Sequence, residues 1–309
     1  MVPELGWTAA FVATSVSLAT PLLATALGEV VAERAGVLNI GLEGMMLAGA
    51  FAGFAAAHGT GSPWLGLVAG VAVGVAMALA FAVVTITLLG DQIVAGTALN
   101  ILAVGATGVA YRSLYGVTGS ALSAPTFEPL RVPLLGDLPF LGEAFFAHNV
   151  LVYATFALVV PTHWFLHRTR WGLALRAVGE HPRAADTVGV PVFRVRYAAV
   201  LLGGGLAGAS GAYLSLAHAN TFVEGMTAGR GFMALAIVIF GKWSPWGALG
   251  GALLFGAANA LRFRFGALGL DVPYQVFLAL PYAVVLAALA LFVGRARAPA
   301  ALTQPYARE

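Results

Sequence analysis

The sequence has 309 residues, of which 60% are hydrophobic and only 9% charged, whereas ordinary soluble domains carry about 25% charged residues. With a mean hydropathy of +0.89, this composition excludes an ordinary soluble fold and indicates helices that cross a lipid bilayer. The formal charge of +3 is small for a nucleic-acid-binding protein, so no nucleic-acid partner is expected. The absence of cysteine excludes disulfides and thiolate metal sites.

Apolar segments with few charges follow one another along the chain, and a helix needs about 20 such residues to cross the hydrocarbon core. We predict the spans 7–28, 37–57, 64–89, 92–115, 149–167, 197–217, 245–261 and 273–293. A ninth segment, 231–240, is too short to cross alone, so either flanking residues extend it or it forms a half-helix inside the bundle. The predicted fold is an all-α polytopic membrane protein with about nine transmembrane helices, built as one transmembrane domain over residues 1–309.

The charges of the connecting segments predict the orientation. Residues 168–196 hold six arginines against two acidic residues, a net +4, which the positive-inside rule places in the cytoplasm. Residues 116–148 hold one arginine against three acidic residues, a net −2, and are predicted to be external. The basic tail, 294–309, is then cytoplasmic and the N-terminus outside. This topology makes 28–36 an internal turn and leaves Arg262 and Arg264 outside, which disagrees with the rule.

Glycine pairs recur at four-residue spacing in several spans, which predicts close helix contacts because small residues let backbones approach in lipid. The pairs are Gly49 with Gly53, Gly66 with Gly70 and Gly74, Gly204 with Gly208, and Gly247 with Gly251.

No enzyme signature is present: the sequence lacks HExxH, GxSxG and the Walker GxxxxGK[ST] motif. We therefore expect no catalytic residue and no metal site on this chain. Gly203, Gly205 and Gly208 match GxGxxG but lie in an apolar span without a preceding strand, so helix packing is the better interpretation. His163 and His167 share a helix face near a membrane boundary, where interfacial anchoring is favoured over metal binding because no third ligand is evident.

Polar residues within the spans are candidates for a solute pathway because such groups are costly in a bilayer. Asn39 and Glu43 lie one helical turn apart, and Asn100 and Asn259 lie in other spans. A structural role remains open: Glu43 accepting hydrogen bonds from a neighbouring helix or from Arg34, and Asn39 capping a helix start.

The basic loop contains a short predicted helix. Pro182 suits a first helical turn and Gly189 a C-terminal stop, and the spacing of Ala184, Ala185 and Val188 predicts that they share one small apolar side. Docking into a groove of another protein and lying along lipid headgroups both fit this spacing.

Several stretches together resemble permease subunits of ABC importers of the branched-chain amino acid and ribose type, and within them the simple-sugar and nucleoside branch. They are PLL at 21–23, ERAGVLNIGLEGMM at 33–46, GRGFMALA at 229–236 and the basic loop. The resemblance runs from about residue 15 to 293.

This resemblance implies that Glu180 to Gly189 forms a coupling helix that docks on a separate ABC ATPase subunit, which binds ATP and magnesium. The expected coupling residues are Gly179, Glu180, Ala184, Ala185 and Gly189. It also implies a second related permease, in a heterodimer or homodimer, an extracytoplasmic binding protein, and the bacterial cytoplasmic (inner) membrane as the location.

For the solute path we select Asn39, Asn100 and Phe232, because a path for nucleosides or sugars is expected to be polar, uncharged at its narrowest point and lined with aromatic faces. Glu43 is added because an intramembrane carboxylate tends to face a bundle interior or an aqueous cavity. The alternatives are an ion- or proton-coupled secondary transporter, which predicts paired buried charges, and a membrane scaffold.

Overall fold

The computed structural model describes residues 2–116, 122–131, 140–267 and 297–308, and nine single positions between these ranges. The predicted span at 273–293 falls outside the described residues apart from six single positions.

Within these residues the chain is helical, with one pair of short antiparallel strands. The helices are α1 (Val2–Arg34), α2 (Leu42–Thr60), α3 (Pro63–Ala82), α4 (Gln92–Tyr115), α5 (Leu141–Phe145), α6 (Val150–Ala157), α7 (Val159–Arg168), α8 (Arg170–Glu180), α9 (Pro182–Thr187), α10 (Val192–Tyr213), α11 (Arg230–Phe240) and α12 (Pro245–Ala267). Two π-helical segments, Val83–Thr87 and Leu214–His218, continue α3 and α10. Strands β1 (Pro129–Arg131) and β2 (Ala147–Asn149) pair antiparallel.

Among the described residues, five helical segments are long and apolar enough to cross a membrane, judged by length and composition. They are Trp7–Arg34, Pro63–Thr87, Gln92–Tyr115, Val150–Arg168 and Val192–His218. The chain is thus a mostly helical protein with several membrane-spanning candidates, as the composition predicts.

Helix α1 corrects the sequence prediction of an internal turn at 28–36. It continues to Arg34, because the residues after 28 contain no helix breaker before Gly36, whose φ is +87°. The N–H of Gly36 bonds to the carbonyl of Glu33 at 2.9 Å, and the N–H of Val37 to that of Ala32 at 3.1 Å, which is a Schellman termination. The predicted second span also begins later than expected, because residues 37–41 are not helical and α2 starts at Leu42.

The predicted glycine contacts are confirmed. Helices α2, α3 and α10 meet with almost no side chain between them: a Cβ added at Gly49 would lie 2.5 Å from the carbonyl oxygen of Gly208, and one at Gly70 would lie 2.9 Å from that of Gly49. Likewise a Cβ at Gly74 would collide with the carbonyl of Gly204. Gly203, Gly205 and Gly208 are therefore packing residues of α10.

The same is true where α11 meets α12. A Cβ at Gly247 would collide with the carbonyl of Gly241, and one at Gly251 would touch the side chain of Ile237 at 3.1 Å.

Helix α11 is a short apolar helix of 11 residues. At a rise of 1.5 Å per residue it is about 16 Å long, roughly half of the 30 Å hydrocarbon core. The prediction that this segment is too short to cross alone is confirmed. It packs against α1, α2 and α12, so its first turn lies within the bundle.

Candidate translocation and coupling sites

The start of α2 is held by two asparagines. The Asn100 side chain of α4 accepts a hydrogen bond from the N–H of Gly44 at 2.7 Å and donates one to the carbonyl of Ile40 at 3.0 Å. Asn39 is fully buried, and its side-chain oxygen accepts from the N–H of Gly41 at 3.0 Å. Asn39 does not cap a helix, because the N-cap of α2 is Gly41 and has no side-chain bond. Both amides fix the backbone that leads into α2.

Glu43, in the first turn of α2, occupies the N-terminus of α11. Its two carboxylate oxygens accept hydrogen bonds from the N–H groups of Gly229 at 2.8 Å and Gly231 at 2.7 Å. Both N–H groups lie at the start of α11, where backbone N–H groups have no acceptor within their own helix. A negative charge at this position is also stabilised by the helix dipole. Of the two interpretations left open for Glu43, the structure therefore shows a bond to a neighbouring helix.

Phe232 follows Gly231 on α11 and is 49% exposed. The four predicted pathway residues thus lie around one place, which we call the α2–α11 junction: Asn39, Glu43, Asn100 and Phe232. Asn259 donates to the carbonyl of Phe255 in its own helix at 3.0 Å and lines a small cavity together with Ala228 and Arg230 at the start of α11. Contact of the four residues with a solute stays a prediction.

Two buried acids in α1 escaped the sequence analysis, because the predicted turn placed them at the surface. Glu29 and Glu33 are 0% and 1% exposed. Glu29 accepts from the backbone N–H of Asn39 at 2.8 Å, and Glu33 accepts from the indole N–H of Trp243 at 2.5 Å. The signal for these two acids was their spacing: Glu29 and Glu33 are four residues apart and directly follow an apolar segment, which is compatible with one face of a continuing helix.

Near the end of α1 lies the basic loop. Thr169 caps α8 by accepting from the N–H of Gly172 at 3.0 Å, and α9 follows after a break at His181. Pro182 lies in the first turn of α9, and Gly189 ends the loop helix with φ +86°, as predicted. The helix itself is shorter than the predicted Glu180–Gly189.

The apolar side predicted for α9 is partly wrong. Val188 is 79% exposed and Ala184 is exposed, but Ala185 is 4% exposed and packs inward with Val178 and Tyr306. Successive residues of an α-helix are rotated by about 100° around its axis, so Ala184 and Ala185 point to different sides. Among the expected coupling residues, Ala184 and Gly189 face outward, and Ala185 supports the loop from within.

Gly179 and Glu180 join α8 to other parts of the chain. A Cβ at Gly179 would collide with the carbonyl of Arg34, so the ends of α1 and α8 touch through their backbones. Glu180 is exposed and accepts a long hydrogen bond, 3.3 Å, from the N–H of Ala300 in the C-terminal tail.

The described tail, residues 297–308, lies against the basic loop. The hydroxyl of Tyr306 donates to the carboxylate of Asp186 in α9 at 2.8 Å, and Arg308 forms an ion pair with the same carboxylate at 3.1 Å. Burial, and then the bond to Asp186, raise the pKa of Tyr306 above its ordinary value, so its hydroxyl keeps its proton and remains a donor. The sequence carries no local signal for this contact, which joins residues 120 positions apart.

Another ion pair joins the C-terminal turn of α4 to the segment before α11. Arg112 donates from Nε and Nη2 to both carboxylate oxygens of Glu224, at 2.9 and 2.8 Å. The bidentate bond holds the pKa of Glu224 below its ordinary value.

A bundle of apolar helices, five of them long enough to cross a membrane among the described residues, indicates a multi-pass membrane protein. The family model described as the permease component of the branched-chain amino acid transport system matches residues 11–289. The chain belongs to this family, which confirms the resemblance drawn from its motifs.

Three relatives cover nearly all of the chain. A putative glucose ABC transporter permease protein of Haloferax volcanii is 42% identical over 96% of both chains. The guanosine ABC transporter permease protein of Bacillus subtilis is 42% identical over 93% of both chains. A nucleoside ABC transporter permease protein of Lactococcus lactis is 39% identical over 94% of both chains. No solved structure matches the chain.

Proposed function

We propose that the chain is the transmembrane permease subunit of an ATP-driven ABC importer and forms the path for a nucleoside or a simple sugar. The observation that carries this proposal is the near full-length similarity to permease proteins named for guanosine, nucleosides and glucose. The chain itself performs no chemistry in this proposal. ATP and magnesium bind a separate ATPase subunit, and a binding protein delivers the solute from outside.

The Glu43 contact supports an uncharged solute. In transporters with broken helices, a half-helix N-terminus can bind the anionic group of a substrate. Here the carboxylate of Glu43 already takes the N–H groups of Gly229 and Gly231 at this end of α11. An anionic solute would have to compete with it, whereas a nucleoside or sugar needs only hydrogen bonds.

For topology, we propose one domain over residues 1–309 with nine spans in the cytoplasmic membrane, an external N-terminus and a cytoplasmic C-terminus. The clustering of polar segments supports this arrangement. The end of α1, the basic loop, the turn at Lys242 and the tail lie together: Arg34 bonds to the carbonyl of Trp243 at 2.9 Å, and the N–H of Ala301 to that of Gly179 at 2.9 Å. The positive-inside rule assigns this end to the cytoplasm.

A second permease completes the path in this proposal. The faces of α4 that carry Ile101, Leu102 and Val109 are strongly exposed and suit either lipid or a partner permease, in a heterodimer or a homodimer. Binding of ATP to the ATPase favours one of two packings of the bundle, because a ligand shifts an equilibrium only by its differential affinity for the two states.

The test is uptake by proteoliposomes that contain the chain with its ATPase, permease partner and binding protein. We expect uptake of labelled guanosine or glucose that requires ATP and is lost when the Walker lysine of the ATPase is replaced. Uptake that proceeds without ATP would contradict the proposal.

One observation favours the alternative of a proton-coupled carrier: Glu29 and Glu33 lie one helical turn apart in α1, both are buried, and each has one carboxylate oxygen without a hydrogen-bond partner among the described residues. Collapse of the proton gradient in the same proteoliposomes separates the two functions. ATP-driven uptake continues after collapse, whereas uptake by a proton-coupled carrier stops.

A further inference from the structure

Helix α9 does not stand alone on the surface that carries the basic loop. Residues 297–308 of the tail run beside α8 and α9 and bond to both. The N–H of Ala301 donates to the carbonyl of Gly179 at 2.9 Å, and the Tyr306 hydroxyl donates to Asp186 at 2.8 Å. The tail is thus attached at the end of α8 and again within α9.

The same tail also touches the two long helices that flank the loop. A Cβ at Gly36, just after α1, would lie 3.1 Å from the carbonyl oxygen of Ala301. The guanidinium of Arg196 in α10 donates to the carbonyl of Gln304 at 3.1 Å. The tail therefore links α9 to both α1 and α10, helices of the central bundle.

The Tyr306 ring forms part of the packing under α9. It is buried with Val178, Ala185 and Val192 in a small apolar cluster, and its centroid lies 5.8 Å from that of Phe193. A six-residue helix is too short to be stable by itself. Its direction therefore depends on this cluster and on the bond between Tyr306 and Asp186.

Apolar and basic groups share the exposed side of this surface. Ala184 of α9 and Val188, which directly follows α9, are exposed, as is Arg183, and Arg308, exposed but ion-paired with Asp186, lies at the edge of α9. A protein that receives this surface needs a small apolar recess with acidic residues at its edge.

We propose that the docking surface for the ATPase subunit is composite, formed by α9 together with the C-terminal tail, and that Tyr306 is a positioning residue that holds α9 in its docking direction. This inference rests on the proposed importer function. It adds the C-terminal tail to the coupling surface. It also predicts that the ATPase subunit receives this surface with a small apolar recess that has acidic residues at its edge.

The test compares Tyr306→Phe, which removes only the hydroxyl, and Tyr306→Ala, which also removes the ring. Tyr153→Phe is the matched control, because its hydroxyl bonds to the backbone of β2 instead of α9. For the mobility measurement alone, each full-length variant also carries Val188→Cys with a spin label, which is the only thiol since the chain has no cysteine; affinity and ATP hydrolysis are measured on the unlabelled variants, because Val188 belongs to the docking surface. We measure label mobility, affinity for the purified ATPase, and ATP hydrolysed per solute transported.

We expect both Tyr306 variants to increase label mobility and to raise the ATP hydrolysed per solute. Affinity for the ATPase should fall about tenfold in Tyr306→Phe, the lower end of what the loss of a hydrogen bond to a charged group costs, and further in Tyr306→Ala, with Tyr153→Phe unchanged. If Tyr306→Phe showed the label mobility and the ATPase affinity of the wild type, the composite surface would be overturned. Misfolding does not obscure this result, because Tyr306→Phe keeps the ring that packs under α9. If the unmodified chain binds no ATPase, the proposed function fails instead.

Discussion

Polar side chains inside the bundle bond mainly to backbone groups, and they decide where short helices begin. Asn100 satisfies both a donor and an acceptor at the entry to α2, and Glu43 satisfies two donors of α11. The spacing of Asn39 and Glu43 indicated where polar residues would matter. It did not indicate the partners, because Gly229 and Gly231 lie 186 and 188 positions away from Glu43.

Replacement of Glu43 by glutamine should destabilise the α2–α11 junction. One oxygen becomes an NH₂ donor that faces an N–H, so one bond of the pair is lost and a buried donor remains unpaired, at a cost of about 1–3 kcal/mol. Thermal unfolding in detergent should show a lower midpoint, and uptake should fall. Glu143→Gln, the same change at an exposed position of α5, is the control. Equal midpoints for the two variants would show that the Glu43 contact contributes nothing to stability.

Trp243→Phe should leave the Glu33 carboxylate without its indole donor. Because Glu33 is almost fully buried, we expect a loss of about 1–3 kcal/mol in the free energy of unfolding. Trp246→Phe, at a half-exposed position, makes the same change without removing that bond. The comparison is made by chemical denaturation in mild detergent, and similar losses in both variants would argue against the Glu33 contact.

Single elements differ in how well their ends can be predicted. Helix α9 begins at Pro182 and is terminated by Gly189, and both ends were predicted because the signal is the residue type at the end itself. The continuation of α1 through Glu29 and Glu33 was missed, because acidic residues in an apolar chain suggest a surface turn. The tertiary partners Asn39 and Trp243 each donate a hydrogen bond to one carboxylate oxygen of these acids, which lowers the cost of burying them.

Replacing glycine by alanine should have opposite effects on stability at Gly208, where helices touch, and at Gly105, where they do not. Gly208→Ala places a methyl group against the backbone of Gly70 and Gly74, so the helices must separate, at a cost of about 1–3 kcal/mol. Gly105→Ala in α4 meets nothing within 4 Å and should be neutral or gain up to about 1 kcal/mol from helix propensity. Thermal unfolding and the monodisperse fraction in gel filtration give the comparison; a tolerated Gly208→Ala would contradict the close packing.

The segment before α11 should be held by Arg112 and Glu224 down to acidic pH. The folded-state pKa of Glu224 is depressed, so the stabilisation is present above the unfolded value of about 4.3 and is lost as pH falls through the lower folded value. A spin label at Val223→Cys should stay immobile at neutral pH and become mobile only in that acid range. In the Glu224→Gln variant the label should be mobile at every pH. If the label stayed immobile at every pH both with and without Glu224→Gln, the ion pair would not be what restrains this segment.

For the molecule as a whole, composition and hydropathy were enough to predict a helical membrane protein, and short motifs were enough to predict its family. Composition, hydropathy and short motifs did not predict which residues meet in the two candidate sites. The junction needs α2, α4 and α11 together, and the coupling surface needs α9 beside Tyr306 of a tail more than 100 residues later. Such contacts depend on packing in three dimensions, which one sequence does not encode as a local pattern.

The glycine contacts among α2, α3 and α10 also bear on motion. Backbones that touch at Gly49, Gly70 and Gly208 leave no side chains between them that could change rotamer and let the helices slide. Since close-packed interfaces switch between discrete arrangements instead of deforming continuously, these three helices should rotate as one rigid body. Any opening of a path must then occur at its borders, where α4 and α11 are fixed by the few polar bonds of Asn100 and Glu43.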